Sequence, residues 1–123
     1  MASKQSAAKA RGSKFETDVM RWLREKLPNA LTERLARAGS NDEGDVVCIV
    51  SGQPYVFELK ATARLDLPQF WREATVEAEN YAKARGLKTV PPAYVIVKRR
   101  NAGIQDAWVI QSLEKWAAHV DEA

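Results

Sequence analysis

The stretch Asp45-Val46-Val47-Cys48-Ile49-Val50-Ser51-Gly52-Gln53-Pro54-Tyr55-Val56-Phe57-Glu58-Leu59-Lys60 governs how this chain is read. Its first six residues are too few and too rich in β-branched side chains for a helix, so they predict a strand over 45–50. Ser51-Gly52-Gln53-Pro54 is a turn, which makes Tyr55–Lys60 the hairpin partner. A period of two places Tyr55, Phe57 and Leu59 on one face and Val56, Glu58 and Lys60 on the other.

Downstream of this hairpin, 67–85 predicts a helix with an apolar face of Leu67, Phe70, Trp71, Ala74, Ala78, Tyr81 and Ala82. Pro68 suits its first turn and Gly86 its C-terminal end. Ala93–Val97 is a nearly continuous apolar strand, and 107–110 is the last strand. Ser112 caps a terminal helix whose Leu113, Trp116, Ala117 and Val120 are expected to face inward. Upstream, Phe15, Val19, Leu23 and Leu27 recur every four residues and predict a helix from Gly12 to Leu27. Ser13 and Glu16 stand in capping-box positions, and Pro28-Asn29 ends the helix. Residues 34–38 are either a short strand or irregular chain, and 39–44 are loop. The order α, an optional β, β, β, α, β, β, α makes one α/β domain, a central mixed β-sheet flanked by helices. Residues 1–10 are expected to be a flexible basic arm, with 11–123 the single folded domain.

Composition bounds the function. The 123 residues fit one domain, and 46% hydrophobic content with 28% charge is globular. No apolar run reaches membrane-spanning length, and the basic N-terminus lacks the apolar core of a secretory signal. One cysteine, Cys48, excludes an internal disulfide, and with His119 the single histidine the sequence argues against a Cys/His zinc site within one chain. A cytoplasmic setting follows. The formal charge of +3 is an average over unlike parts. Residues 1–37 carry nine basic and four acidic side chains, net +5; 38–80 carry three and eight, net −5; 81–123 carry seven and four, net +3. An acidic middle between basic flanks fits ordinary solvated surface. It equally fits a cation-holding carboxylate site in a phosphate-attracting field.

The hairpin supplies that carboxylate site. Glu58 and Lys60 share a strand face, and pairing across the turn brings Asp45 toward Glu58. Charges among Tyr, Val, Phe and Leu are costly unless they meet water, a partner or a metal. The plain use of the pair is a solvent-facing salt bridge on an edge strand. The chemical use is a centre in which Asp45 and Glu58 hold a divalent cation, with oxygen ligands favouring Mg²⁺ or Mn²⁺ over zinc. The backbone carbonyl of Leu59 is a further candidate oxygen. Lys60 would orient the water or neutralise charge on the phosphate rather than act as a base. Arg64 stands close enough in sequence to clamp a phosphate.

The array resembles the PD-(D/E)xK nucleases, and more narrowly the archaeal-type Holliday junction resolvases and their phage relatives. Lys9-Ala10-Arg11-Gly12-Ser13-Lys14-Phe15-Glu16 is similar to the family's basic, glycine-containing approach to a first helix that carries a glutamate, here matched to Glu16. Arg37-Ala38-Gly39-Ser40 resembles the segment before the family aspartate. Gly44-Asp45-Val46-Val47 matches the glycine–aspartate–aliphatic motif, and Glu58-Leu59-Lys60 the glutamate–x–lysine motif. Gly44 stands where the family pattern has proline, and Ala61-Thr62-Ala63-Arg64 follows the lysine where relatives often show Ser or Thr.

The resemblance implies a restriction-endonuclease-like fold and a Mg²⁺-dependent endonuclease, with Mn²⁺ substituting. Asp45, Glu58, Lys60 and Glu16 would be catalytic. Glu16 would act as an outer metal ligand or through water, beside its helix-capping use. The implied substrate is branched DNA, four-way junctions above all, cut by a homodimer in the host cell cytoplasm if phage-encoded. DNA contacts are expected from Lys9, Arg11, Lys14, Arg34, Arg37, Ser40, Arg64, Lys98, Arg99 and Arg100. The alternatives are a nuclease of the same fold acting on flaps, ends or duplex, and a non-catalytic DNA-binding protein of that fold. Gln69 reads either as a hydrogen-bonding neighbour of the site or as a solvent-facing helical residue. Trp22, Trp71, Trp108 and Trp116 read first as core, with Trp22 lying slightly off the stripe of its helix. Cys48 reads as a buried strand residue, and His119 as surface near a frayed end.

Overall fold

The computed structural model describes residues 4–35 and 43–121. Its order is α1 (Lys4–Lys26), β1 (Leu31–Arg34), β2 (Val46–Val50), β3 (Gln53–Lys60), α2 (Leu67–Ala84), β4 (Ala93–Val97), β5 (Trp108–Ile110) and α3 (Leu113–Asp121), with one turn of 3₁₀ helix at Ile104–Asp106. The five strands form one sheet in the order β1-β2-β3-β4-β5. The pairs β1/β2, β2/β3 and β4/β5 are antiparallel. Strands β3 and β4 are parallel. A parallel pair needs a crossover, and α2 provides it.

The hairpin reading holds, with a tighter turn than expected. Val50 pairs with Gln53, so the loop is Ser51-Gly52 alone. Both residues have positive φ, 50° and 82°. That is the type I′ geometry whose twist matches the strands it joins, and it draws Gln53 and Pro54 into β3.

The two faces of β3 then separate as the alternation requires. Val47, Val56, Val95 and Val97 pack with Phe70, Ala74 and Ala78 of α2. Val46, Leu59 and Ile96 pack on the opposite face with Phe15, Val19 and Leu23 of α1. Coverage on both faces is the reason β2 and β4 read as continuous apolar runs.

Helix α2 begins at Asp66, whose side chain accepts from the Gln69 N–H, and is followed by Gly86 at φ 61°. Its expected face holds except at Leu67, which is exposed.

Several expectations change. Residues 4–10 are the first turns of α1 rather than a separate arm. Ala7, Ala8 and Ala10 are strong helix formers, and no proline stops them. Ser13 is therefore interior to the helix, and its carbonyl accepts from Thr17 Oγ1 instead of its side chain capping. The helix stops at Lys26, leaving Leu27 exposed. The optional strand lies three residues earlier than 34–38, where Leu31–Arg34 pairs with Val46–Ile49.

Helix α3 carries an apolar stripe that is not buried. Leu113 is 80% exposed, Trp116 54% and Val120 49%. Ser112 does cap it, its Oγ accepting from the Lys115 N–H at 3.1 Å. Trp22 and Trp71 lean against the core, whereas Trp108 and Trp116 lie at the surface. Cys48 is buried, and His119 is half-buried with its ring edge-on to Tyr55 at 5.8 Å. Among the described residues, no helix is long and apolar enough to cross a membrane.

Candidate active site

Asp45 enters β2 directly after Gly44. Gly44 sits at φ 104°, and a Cβ there would lie 2.8 Å from Val56 Cγ1. Only glycine meets both demands. Asp45 is then held at three points. Its N–H donates to the Phe57 carbonyl at 3.0 Å, and its carbonyl accepts from the Leu35 N–H at 2.9 Å. Its Oδ2 accepts from the Leu59 N–H at 2.8 Å.

Because Val46 pairs with Phe57, Asp45 stands one step further along, across from Glu58 and on the same sheet face. The register thus places Asp45 opposite Glu58, while the carboxylates gathered at Glu58 come from α2 and do not include Asp45. The Leu59 carbonyl projects toward the Asp45 side, since the N–H and C=O of one strand residue point the same way. The alternation agrees: Lys60 offers its carbonyl to Lys98 on the other edge, at 2.9 Å.

Glu58 and Asp45 are buried, at 5% and 6% exposure. Helix α2 brings two further carboxylates over Glu58. Oxygen atoms of Glu58, Glu73 and Glu77 all lie within 4.8 Å of one another. Lys60 is drawn into this group, with Nζ 2.6 Å from Glu73 Oε2 and 3.3 Å from Glu58 Oε1. The Phe70 ring underlies the ammonium, its centroid 4.9 Å away. Gln69 Nε2 donates to the other Glu73 oxygen at 2.9 Å, so Gln69 is both exposed and a neighbour of the site.

Burial by itself would lower the Lys60 pKa. The hydrogen bond to Glu73 and the charges of Glu58 and Glu73 outweigh it, and the pKa is raised. Lys60 therefore stays an ammonium at neutral pH, as its expected role requires. Burial would likewise raise Glu73, but hydrogen bonds from Lys60 and Gln69 hold its carboxyl below the ordinary range.

Glu73 and Glu77 are not among the residues expected from sequence. The signal is present there all the same: Phe70, Ala74, Glu77 and Tyr81 fall on one buried stripe of α2, and a glutamate on such a stripe needs a partner. Glu16 is half-buried on α1, which covers the opposite sheet face, and it is not in the carboxylate group.

The expected DNA contacts fall in three places. Lys9, Arg11 and Lys14 are exposed on the first half of α1, where Lys14 pairs with Asp18 at 2.8 Å. Arg34 ends β1 one residue before Leu35, which bonds to Asp45. It lines a basic groove of about 650 Å³ with Arg21 and Arg24 of α1, two residues not expected from the sequence. Arg34 itself donates to Thr17 Oγ1 at 3.1 Å. Lys98, Arg99 and Arg100 leave β4 at the end where Lys98 bonds to Lys60, and Arg99 stacks on Trp108 at 4.3 Å. Arg64 is exposed in the loop after β3. Arg37 and Ser40 lie outside the described residues.

No family model matches the sequence. No curated protein matches it. Among solved structures, the chain is similar to Hjc of Archaeoglobus fulgidus, described as a Holliday junction resolvase from an archaeal hyperthermophile. Identity is 19%, coverage is 87% of this chain and 93% of that chain, and the TM-score is 0.49.

Proposed function

We propose that this chain is a metal-dependent DNA endonuclease that hydrolyses phosphodiester bonds, with branched DNA as its substrate. The observation that carries the reading is Glu58. Its Oε2 is buried without a hydrogen-bond partner among the described residues, beside two more glutamates and across from Asp45. A buried anionic oxygen left this way is costly, and a hard divalent cation offsets the cost. The donors fit such a cation: carboxylates of Asp45, Glu58 and Glu77, and the Leu59 carbonyl, all oxygen. This set favours Mg²⁺, with Mn²⁺ able to replace it. Bound there, the ion supplies positive charge to the scissile phosphate and lowers the pKa of water.

The rest is the work of the chain. Asp45 is oriented by the Leu59 N–H. Lys60, an ammonium held by Glu73, faces the phosphate oxygen on which charge develops. Glu16 stands on the helix over the opposite sheet face and is not assigned a part in this centre. Arg34 and the Lys98–Arg100 cluster hold backbone phosphates on either side. The exposed Leu113, Trp116 and Val120 stripe is the surface on which a second copy would pack, giving a homodimer that cuts two strands.

The test incubates labelled four-way, flap, duplex and single-stranded DNA with the protein in Mg²⁺ or EDTA. Paired symmetrical nicks in the four-way substrate, dependent on Mg²⁺ and abolished by Glu58→Ala, are expected. Equal cutting of every substrate would reject junction selectivity. Metal-independent binding without cutting in Mg²⁺ or Mn²⁺ would leave a DNA-binding protein of this fold.

A further inference from the structure

A second cavity, of about 640 Å³, opens on the other flank of α2. Glu73 and Glu77 mark one flank of the helix. Trp71, Thr75 and Glu79, at four-residue spacing, mark another about 200° around at 100° per residue. The cavity also takes in Tyr55, five residues before Lys60 on β3, or about 17 Å along the strand. It is therefore separate from the carboxylate group.

Its size is that of a small-ligand site. Trp71, Tyr55 and His119 bring three aromatic rings to its walls, and Pro91 and Pro92 add flat apolar surface. The polar group is Gln111. Its Oε1 is buried with no partner among the described residues, while its Nε2 makes only a long contact, 3.5 Å, to the Ala93 carbonyl. The Ala93 carbonyl can only accept, which marks the amide group that faces it as the nitrogen. The nitrogen is engaged and the oxygen is left over. A buried acceptor of this kind costs free energy until a donor meets it.

We propose that this cavity binds a planar nitrogen heterocycle carrying an N–H donor, of the nucleobase class, held against its aromatic walls and donating to Gln111 Oε1. The site is independent of the nuclease reading, because none of its lining residues belongs to the carboxylate group.

The test is isothermal titration of the full chain in EDTA with adenosine and with purine riboside, which lacks the exocyclic amine. Adenosine is expected to bind about tenfold more tightly, the worth of one hydrogen bond to a buried acceptor. Gln111→Leu should erase that difference. Thr75→Trp, which fills the cavity from its wall, should abolish both, with circular dichroism checking that each variant is folded. Equal binding of the two ligands, no binding, or a difference that survives Gln111→Leu in folded protein would overturn the proposal. A short dA oligonucleotide separates the two sources of such a base. Competition with adenosine assigns the site to unpaired DNA, and failure to compete assigns it to a free nucleoside. Loss of cleavage in the junction assay leaves these outcomes untouched.

Discussion

Lys60 Nζ lies 2.6 Å from Glu73 Oε2, which ties the end of β3 to the first turns of α2 and seats an ammonium between the half-buried Glu73 and the buried Glu58. The same ammonium is 3.3 Å from Glu58. Removing it should therefore do more than break a surface pair. Lys60→Met leaves the Glu58 charge buried beside two other glutamates, and is expected to destabilise the metal-free protein by about 1–3 kcal/mol. Glu73→Gln should cost less, about 0.5–1 kcal/mol, since its side chain is a third exposed and screened by water. Urea denaturation of both single variants and the double variant measures the coupling. Additive effects would show that the two groups do not interact.

The pH dependence of stability follows from the same pair. The Glu73 pKa is lowered in the folded chain. Its contribution is present above the unfolded value of about 4.3, and is lost as pH falls through the lower folded value. The Lys60 pKa is raised. Its contribution is full below about 10.4 and lost as pH rises through the higher folded value. Metal-free thermal melts should flatten on the acid limb in Glu73→Gln and on the alkaline limb in Lys60→Met. An acid limb unchanged in Glu73→Gln would contradict this assignment.

Gly44→Ala tests the approach to β2. The substitution meets φ 104° and a Val56 Cγ1 at 2.8 Å. A loss of about 1–3 kcal/mol is expected from the backbone conformation and the steric overlap. DNA cleavage should fall further than stability does, because Asp45 is the next residue and moves with it. Chemical denaturation and initial rates, read on the same preparation below its melting range, separate the two.

The arginines of the α1–β1 groove should act on affinity and not on chemistry. Arg21→Ala and Arg24→Ala are each expected to weaken DNA binding. Each should also lower the slope of log affinity against log salt by about 1 for every phosphate the arginine neutralises. Single-turnover cleavage at saturating protein should change little. Fluorescence anisotropy across a salt series reads the slope, and an unaltered slope would place the DNA elsewhere.

Removing divalent metal should lower the melting temperature of the wild-type chain, because a cation that binds only the folded state stabilises it by mass action. Asp45→Asn and Glu58→Gln should each abolish the Mg²⁺-dependent shift in scanning calorimetry. Glu77→Gln should reduce it if the α2 carboxylates share the ion. A shift that persists in all three variants would mean that the ion sits at another place.

The hairpin is legible in the sequence because its signals are local. β-branched runs, a Ser-Gly turn and period-two alternation act through nearest neighbours, so 45–60 announces both strands and the shared face of Glu58 and Lys60. The core face of α2 is legible for the same reason. The stripe of α3 is not buried as expected, because an amphipathic pattern states which face is apolar and not whether anything lies against it. Trp116 is expected in the core on that ground and Trp108 from its apolar strand, and both lie at the surface. Helix α1 begins earlier than its stripe suggests, since alanines extend a helix without contributing to an apolar face.

Sequence alone carries the α/β order, the two-sided burial of the central strands, and the place of Asp45, Glu58 and Lys60 on one face of the β2–β3 hairpin. Each of these depends on spacing along a single strand or across one short turn. Tertiary packing adds that Glu73 and Glu77 lie over Glu58, that α1 and Glu16 lie on the far face, and that Arg21 and Arg24 share a groove with Arg34. Those relations depend on which face of the sheet each helix covers, a choice made by packing many side chains at once, and no local pattern carries it.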